Sequence, residues 1–406
     1  MKNKGIGTIG IVLIVIIALI AVAGGYMLVT RDTEQRDEIP VNGELIDDIL
    51  DTEQRDEIPV NGKDLIDDPV DDTLTWIIDT VDEGVGDYGI PLSMDIDGDD
   101  NLYISYYNRI NEDLMYAMWD GSSWNIEIMD SGIGKYGIST SLAVESGGDV
   151  HISYINDNEG LNYAKWDGSS WNIETLDEEA GEWTSITLDR DGNPHIGYRD
   201  SSWGKQRLMY AMWDGGSWDI ETVDSEGDAG MYLSLALDSD DNPHISYNEN
   251  NEDVLKYARW NGSSWDIETV DDSSSAIGWY TSIALDSNDN PHISYTDRKN
   301  SALNYAKWDG SSWNIETLDE EGDGYYISMV LDSNDNPHIS YDGYGLKHAK
   351  WDGSSWITES VGGIGFSAGY TSIALDSNGD VHISYHYSTR DEGGISHARF
   401  GVDDEM

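Results

Sequence analysis

Cysteine is absent from the 406-residue sequence, and basic residues are scarce. The lack of cysteine excludes a disulfide framework and thiol chemistry. Only 22 Lys and Arg residues stand against 79 Asp and Glu residues, so the formal net charge is −57. Because phosphate binding requires a basic surface, this charge argues against nucleic acid as a partner. It favours a highly solvated surface suited to a saline exterior, with a specific cation store as the alternative.

A repeat of about 47 residues fills the chain from Trp76 onward. Its fullest copy lies within residues 280–319, where YTSIALDSNDNPHISY precedes LNYAKWDGSSWNIETLD. The second Trp of each WDGSSW-type box recurs at positions 124, 171, 218, 265, 313 and 356. Periods of this length, built from strand-like segments, are typical of β-propeller blades.

Each copy contains four predicted strands, which we label A to D. In the copy above they are residues 281–286, 291–295, 303–309 and 313–319. All four are rich in Ile, Tyr, Trp and Thr, and turns of Asp, Asn, Gly and Ser separate A from B and C from D. The sequence therefore predicts an all-β protein made of four-stranded blades.

The two ends of the repeat array predict a closed ring. The first element is a lone D-type strand at residues 74–82, and the last copy, at 370–400, has strands A, B and C without a WDGSSW box. An N-terminal D strand would complete the C-terminal blade and remove the open edges of a linear array. An open array or a β-solenoid gives no reason for this permutation. We therefore predict a seven-bladed propeller of 28 strands over residues 74–406.

Residues 1–30 are predicted to form an N-terminal membrane anchor. Residues 5–30 carry no charge, which is enough apolar length for one transmembrane helix, and Lys2 and Lys4 favour a cytoplasmic N-terminus. We expect a single-pass protein of the cell membrane with its propeller outside the cytoplasm. A secretory signal cleaved before Gly24 is the alternative, and it would release a secreted protein. The Lys4-Gly5 junction also resembles archaeal pilin-like precursors, which implies cleavage after Gly5 with the anchor retained.

Residues 31–73 are predicted to form a flexible acidic stalk between the anchor and the propeller. The segment DTEQRDEIPVNG occurs at 32–43 and again at 51–62. A tandem duplication rich in Asp and Glu, with few aromatic residues, is typical of an extended linker.

Recurrent histidines and aspartates of the repeat are interpreted first as structural. Six B strands open with the histidines at 151, 195, 244, 292, 338 and 382, and a residue needed by every blade is more simply explained by packing than by metal binding. We expect no cofactor. The A–B turns nevertheless hold closely spaced carboxylates that are candidates for calcium, although Asp is also an ordinary turn residue. These candidates are Asp189, Asp191, Asp238 and Asp240.

The WDGSSW box resembles the Asp-box of sialidase-type β-propellers, whose pattern is S-x-D-x-G-x-x-W. Here Asp309 and Gly310 are adjacent and the leading Ser is missing. In that family the box is a fold-stabilising turn away from the active site, so the resemblance implies the fold more than an activity. The chain also resembles repeat propellers of prokaryotic cell surfaces and propeller lectins.

Irregular residues of the connections form a candidate ligand-binding surface. The D–A and B–C connections of a propeller share one face, and connecting loops commonly carry function. Three tryptophans outside the repeat positions lie in these connections: Trp183, Trp203 and Trp279. Five arginines lie in B–C connections: Arg109, Arg199, Arg207, Arg298 and Arg390. Trp and Arg are enriched in binding hot spots, and the alternative is unselected drift of exposed loops.

A further acidic and aromatic set is expected either at the channel mouth or in the packing of the D–A loops. It comprises Asp87, Tyr88, Tyr136, Tyr232, Tyr280, Tyr326 and Tyr370.

The function favoured by the sequence is a non-catalytic, membrane-tethered binding module for glycans or another cell-surface polymer. A sialidase-like glycosidase is the main alternative, because such enzymes resemble this chain in blade architecture. The resemblance implies a need for an arginine triad, a Tyr–Glu pair and an acidic proton donor. Several arginines are available, but no Tyr–Glu pair can be assigned residue by residue. A structural subunit of the cell envelope is the third possibility, and the oligomeric state is left open.

Overall fold

The computed structural model describes residues 75–401 except 87–89, 135–138, 158–159, 179, 203, 321, 323, 363–366 and 390–392. Within these residues, 28 strands form seven four-stranded antiparallel sheets, each a blade of a β-propeller. The predicted all-β fold and its blade number are therefore confirmed. No helix among the described residues is long and apolar enough to cross a membrane. The predicted anchor and stalk, residues 1–30 and 31–73, lie outside the described residues.

The strands of blades I to III follow one another in sequence. Blade I contains β2 (Leu92–Ile96), β3 (Leu102–Asn108), β4 (Asp113–Trp119) and β5 (Trp124–Asp130). Blade II contains β6 (Ser139–Val144), β7 (Val150–Ile155), β8 (Leu161–Trp166) and β9 (Trp171–Asp177). Blade III contains β10 (Glu182–Leu188), β11 (Pro194–Asp200), β12 (Arg207–Trp213) and β13 (Trp218–Asp224).

Blades IV to VI repeat the same order of strands A, B, C and D. Blade IV contains β14 (Met231–Leu237), β15 (Pro243–Glu249), β16 (Val254–Trp260) and β17 (Trp265–Asp271). Blade V contains β18 (Ile277–Leu285), β19 (Pro291–Asp297), β20 (Ala302–Trp308) and β21 (Trp313–Asp319). Blade VI contains β22 (Tyr325–Leu331), β23 (Pro337–Asp342), β24 (Leu346–Trp351) and β25 (Trp356–Ser360).

Blade VII closes the ring with strands from both ends of the propeller. It contains β26 (Ser367–Leu375), β27 (Val381–Ser388) and β28 (Gly393–Gly401), and β1 (Thr75–Glu83) is its fourth strand. The β1 strand pairs antiparallel with β28, with Thr75 opposite Gly401 and Trp76 opposite Phe400. The predicted closure by an N-terminal D strand is confirmed.

A ring of hydrogen bonds joins the seven innermost strands. In each blade a serine of strand A accepts a hydrogen bond from a backbone amide in strand A of the next blade, at 3.0–3.2 Å. The bond from Met94 N to Ser372 Oγ completes the circle between blades VII and I. The seven serines are Ser93, Ser141, Ser185, Ser234, Ser282, Ser328 and Ser372. The serine of the repeated TSIALD segment therefore connects the blades.

Aromatic contacts form a second closed ring farther from the axis. The first Trp of each D strand packs against an aromatic residue in strand C of the preceding blade, with ring centroids 5.0–5.7 Å apart. The contact of Tyr305 with Trp356 is one example. Aromatic pairs in this edge-to-face range contribute about 0.5–1.5 kcal/mol beyond the area they bury. The recurrent Trp is thus explained by the interface between blades.

Buried hydroxyl groups occupy the same interfaces, but only some have a partner. Ser246 Oγ of blade IV lies 2.8 Å from Thr281 Oγ1 of blade V, and three other interfaces contain the same pair. Ser294 of blade V faces no threonine, because Ile327 occupies the corresponding place in blade VI. The Ser294 hydroxyl is fully buried and has no hydrogen-bond partner among the described residues.

This difference predicts opposite effects of one substitution at two equivalent positions. Ser246→Ala removes a satisfied buried hydrogen bond and should lower the free energy of unfolding by ~1 kcal/mol. Ser294→Ala removes a hydroxyl that is desolvated without compensation, so stability should stay equal or rise. Urea denaturation of both variants measures the difference. An equal loss in the two variants would contradict the proposed pairing.

Candidate functional site

The turns and connections of the propeller lie on two opposite faces. Hydrogen bonds join D–A to B–C connections, as between Gly181 N and Arg199 O or between Arg298 N and Ala276 O. These connections share the face that we call the channel-mouth face. The A–B and C–D turns lie at the other ends of the strands, on the turn face.

Repeat histidines lie between strands B and C, buried in blades II to V and half-buried in blades VI and VII, in agreement with the structural interpretation. His292 is fully buried, and its Nδ1 lies 2.7 Å from the Tyr305 hydroxyl. In blades VI and VII a second histidine replaces the tyrosine, so His338 pairs with His348 and His382 pairs with His397. Burial lowers the pKa of His292 and of His338 to about 4, and that of His397 to about 3. These imidazoles are therefore neutral at pH 7.

The calcium candidates lie in A–B turns that their own side chains help to close. Asp189 Oδ1 accepts hydrogen bonds from the backbone amides of Asp191 and Asn193 at 2.9 and 2.8 Å. Asp238 makes the same bonds to Asp240 and Asn242. The described residues contain no group of three or more His, Asp or Glu side chains arranged to hold a metal ion. Turn closure accounts for Asp189 and Asp238, and calcium binding stays a prediction.

The WDGSSW segments form the C–D turns of the turn face. Asp309 Oδ1 accepts hydrogen bonds from the backbone amides of Ser311 and Ser312, both at 2.9 Å. Hydrogen bonding, first of all from the Ser311 side chain, holds the pKa of Asp309 well below its usual range. The aspartate of the box thus closes a turn, and membership of the sialidase-type family stays a prediction.

Aromatic residues of blades III to VII form a continuous cluster on the channel-mouth face. Neighbouring ring centroids lie 4.4–4.7 Å apart, from Trp183 through Tyr232, Tyr280 and Tyr326 to Tyr370. The first four residues have positive φ angles of 43–54°, a left-handed conformation that is uncommon for bulky residues. The tyrosines predicted for the channel mouth at 232, 280, 326 and 370 therefore come together. Asp87, Tyr88 and Tyr136 lie outside the described residues.

Trp279 joins the predicted surface to this aromatic cluster. Its ring stacks on Tyr232 with centroids 5.0 Å apart, and the Arg298 guanidinium lies 4.4 Å from the centroid of Trp279. Arg298 is exposed. Trp183, Trp279 and Arg298, which were predicted for one ligand-binding surface, thus lie in one cluster, and ligand binding there stays a prediction.

Arg199 is a buried structural group rather than an open anion receptor. Its guanidinium lies 5.5 Å from the Trp183 ring centroid, and its two terminal nitrogens donate to Glu182 and to Asp228. Only 5% of Arg199 is exposed. Because both terminal nitrogens already bind carboxylates, Arg199 is poorly placed for the substrate carboxylate of a sialidase-like site.

The other predicted arginines are more dispersed. Arg207 donates to Asp200, which is almost fully buried. Arg109 is exposed beside Gly86. Trp203 and Arg390 lie outside the described residues.

The turn face has clefts between blades that the sequence did not predict. One of them, of about 760 Å3, lies between blades IV and V and is called the IV/V cleft. Arg259 and Glu268 of blade IV line one side, and Asn288, Asp289 and Trp308 of blade V line the other. The cleft combines an aromatic ring with both donors and acceptors of hydrogen bonds.

Equivalent clefts recur at three other described interfaces. Their volumes are about 510 Å3 between blades VII and I, 420 Å3 between V and VI, and 310 Å3 between III and IV. Each is lined by the residue before the last aromatic residue of strand C and by a carboxylate of strand D. The next blade contributes its A–B turn and the Trp that ends its strand C. The recurrence follows from the repeat, because the same positions meet at each interface.

One buried polar group in the V/VI cleft lacks a partner. His292 lines this cleft, and its Nε2 makes no hydrogen bond to any described residue. The nearest carboxylate oxygen, Asp286 Oδ2, lies 3.7 Å away. A polar ligand in the cleft could supply the missing hydrogen bond.

Comparisons with known proteins support the fold alone. No known sequence family and no curated protein matches the chain by sequence. The SapL1 lectin, solved with α-methyl fucoside, is similar in structure with a TM-score of 0.51 and 13% identity, over 68% of this chain and 97% of that one. A six-bladed fucose-recognising lectin of Aleuria aurantia gives 0.50 and 14%, over 68% and 96%. The polysaccharide lyase Uly1 gives 0.51 and 9%, over 76% and 89%.

The buried histidines predict that acid destabilises the propeller. The ordinary histidine pKa is about 6.5, so these histidines become protonated in the unfolded chain below that pH. In the native protein the pKa of His292 and of His338 is about 4, so they stay neutral until that pH is reached. The free energy of unfolding should therefore fall as pH decreases from about 6.5 to about 4, by ~1 kcal/mol per pH unit for each such histidine.

Urea titrations between pH 7 and pH 4 measure this slope. His292→Gln should make the slope shallower by about the contribution of one proton. A slope that is unchanged in His292→Gln would contradict the assignment.

Proposed function

We propose that this protein is a membrane-tethered, non-catalytic carbohydrate-binding β-propeller that holds a saccharide in the IV/V cleft. The observation that carries the proposal is the composition of this cleft. Its volume of about 760 Å3 lies within the range of small-ligand sites. An indole ring can cover the apolar face of a sugar, while Arg259, Asn288 and Asp289 can exchange hydrogen bonds with its hydroxyls.

The structural neighbours support this proposal at the level of class. Two of them are named as lectins in connection with fucose, so the propeller architecture is compatible with sugar binding. A polysaccharide lyase shares the architecture as well, so an activity on polysaccharides is the competing outcome. The IV/V cleft favours binding, because Arg259 is the single arginine among its described lining residues, whereas a sialidase-like site needs three.

The aromatic cluster of the channel-mouth face is the second proposed carbohydrate-binding surface. It contains Trp183, Trp279 and Arg298. Arg109, Trp203 and Arg390 belong to B–C connections in the sequence, and Arg207 begins strand β12. Tyr232 and Arg298 both lie close to the Trp279 ring, at 5.0 and 4.4 Å from its centroid, and compete with a sugar for its faces. We therefore rank this surface behind the cleft.

Anchorage and calcium dependence are further parts of the proposal. The uncharged segment 5–30 supports a single-pass anchor with the propeller outside the cytoplasm. Membrane fractionation, followed by protease treatment of intact cells, tests both points. Asp189, Asp191, Asp238 and Asp240 remain the candidate calcium ligands, and a loss of glycan binding in EDTA that calcium restores would support them.

A glycan array probed with the full-length protein, with and without calcium, tests the function. We expect binding to a defined set of glycans and no release of reducing ends. Trp308→Ala should weaken that binding about tenfold, since stacking on one aromatic ring is worth ~1–2 kcal/mol. Trp166→Ala removes the equivalent Trp of blade II, away from the IV/V cleft, and is the matched control.

The outcomes separate the competing readings. Loss of binding in Trp279→Ala but not in Trp308→Ala would transfer the site to the channel-mouth face. Hydrolysis or elimination products would favour an enzyme. No binding and no products would leave a structural role in the cell envelope.

A further inference from the structure

One position of strand C differs between blades in a way that changes the clefts. The residue just before the last aromatic residue of this strand is a cation in five blades: Lys165, Arg259, Lys307, Lys350 and Arg399. In blades I and III it is methionine, Met118 and Met212. The position lines the cleft toward the next blade, as Arg259, Lys307, Arg399 and Met212 show. Most interfaces thus place a charge of the chain's own beside the cleft.

The interface between blades VI and VII shows which side chain such a cation contacts. Lys350 Nζ lies 5.3 Å from the ring centroid of Phe400, the last aromatic residue of strand C in the next blade. This distance is within the range of a cation–π contact. Phe400 occupies the position held by Trp260 in blade IV. The repeat therefore creates a place for a cation against the terminal aromatic residue of the following blade.

The III/IV cleft has the same terminal aromatic residue, Trp260, but Met212 stands where other blades have Lys or Arg. Its volume is about 310 Å3, and its walls include Tyr210, Met212 and Trp260. Asp219, Glu221 and Asp241 supply negative charge. None of the described residues that line this cleft is Lys or Arg.

Only part of this negative charge is balanced from outside the cleft. The Arg190 guanidinium pairs with Asp241, at 2.8 Å between Nη2 and Oδ2. Glu221 accepts a hydrogen bond from Trp265 Nε1 at 3.0 Å, which fixes its position but leaves its charge. Asp219 adds a further carboxylate. The III/IV cleft is thus surrounded by two aromatic rings, a thioether and two carboxylates. Neither of these carboxylates, Asp219 and Glu221, has an ion-pair partner among the described residues of the cleft wall.

We propose that the III/IV cleft binds an organic ammonium ion. Aromatic faces attract cations, and carboxylates add long-range attraction while repelling anions. A hard metal ion fits less well, because Tyr, Trp and Met side chains are not its preferred ligands. An amino sugar and a lysine side chain both carry such an ammonium group. The proposal does not depend on saccharide binding in the IV/V cleft.

Methyl NMR of the full-length protein labelled with [methyl-13C]Met tests the proposal with tetramethylammonium as the probe. The Met212 signal, assigned by its loss in Met212→Leu, should shift in a saturable way. Sodium chloride at the same ionic strength controls for screening. The neutral tert-butanol, of similar size, should bind at least about tenfold more weakly, because it lacks the charge.

Met212→Lys supplies the missing cation from within the chain. This residue is native at the same position of blades II, V and VI, so the blade should still fold. Binding, followed by calorimetry, should weaken at least about tenfold. Met118→Lys adds the same charge at the interface of blades I and II and should leave the affinity for tetramethylammonium at the III/IV cleft unchanged. Asp219→Asn is an independent second variant that should also weaken binding.

Three results would overturn the proposal: no saturable shift of Met212, equal affinity for tert-butanol, or wild-type affinity in both Met212→Lys and Asp219→Asn. If tetramethylammonium binds, glucosamine and Nα-acetyl-lysine amide distinguish the two sources of the ammonium group. Preference for glucosamine would point to amino sugars, and preference for the lysine derivative would point to protein.

Discussion

The hydrogen bond from a strand A amide to the serine of the preceding blade is the interaction on which the ring depends. It recurs at all seven interfaces, and the bond from Met94 N to Ser372 Oγ connects residues 278 positions apart. An innermost strand has no fifth strand beside it, so its backbone amides need partners from outside the blade. The serine hydroxyl supplies one such partner and sets the angular position of each neighbour.

Because the inner part of each interface is fixed in this way, variation concentrates near the faces. On the turn face, the clefts between blades differ in their lining, with Arg259 in the IV/V cleft and Met212 at the same strand C position in the III/IV cleft. On the channel-mouth face, the aromatic cluster stops where Pro91 and Ser139 take the places of its tyrosines in blades I and II. A symmetric scaffold thus presents asymmetric surfaces, and binding specificity can differ between interfaces that share one architecture.

The fold was predictable because the pattern of four strands recurs in every blade. The lone D strand at the start and the missing D strand at the end of the repeat array indicate the closure of the ring. The structural role of the histidines followed from their recurrence, and the tyrosines at 232, 280, 326 and 370 were correctly grouped. The pairing of Arg199 with Glu182 and Asp228 was not predictable, because Asp228 lies in the connection that leads to the next blade. The clefts were missed for the same reason: a repeat unit shows which residues recur, but not which residues of two neighbouring copies face each other across an interface.

The pairing of Thr75 with Gly401 has a consequence for where the termini of the propeller can lie. The first and last described residues of the ring lie side by side in blade VII, so the described part of the chain is nearly a circle. Joining these ends and opening another connection would produce a circular permutant with the same strand neighbours. The position of the break would then decide only which blade is held together by non-covalent pairing. In the native order, blade VII is the blade that depends on non-covalent pairing, and β1, the first strand of the propeller in the sequence, provides it.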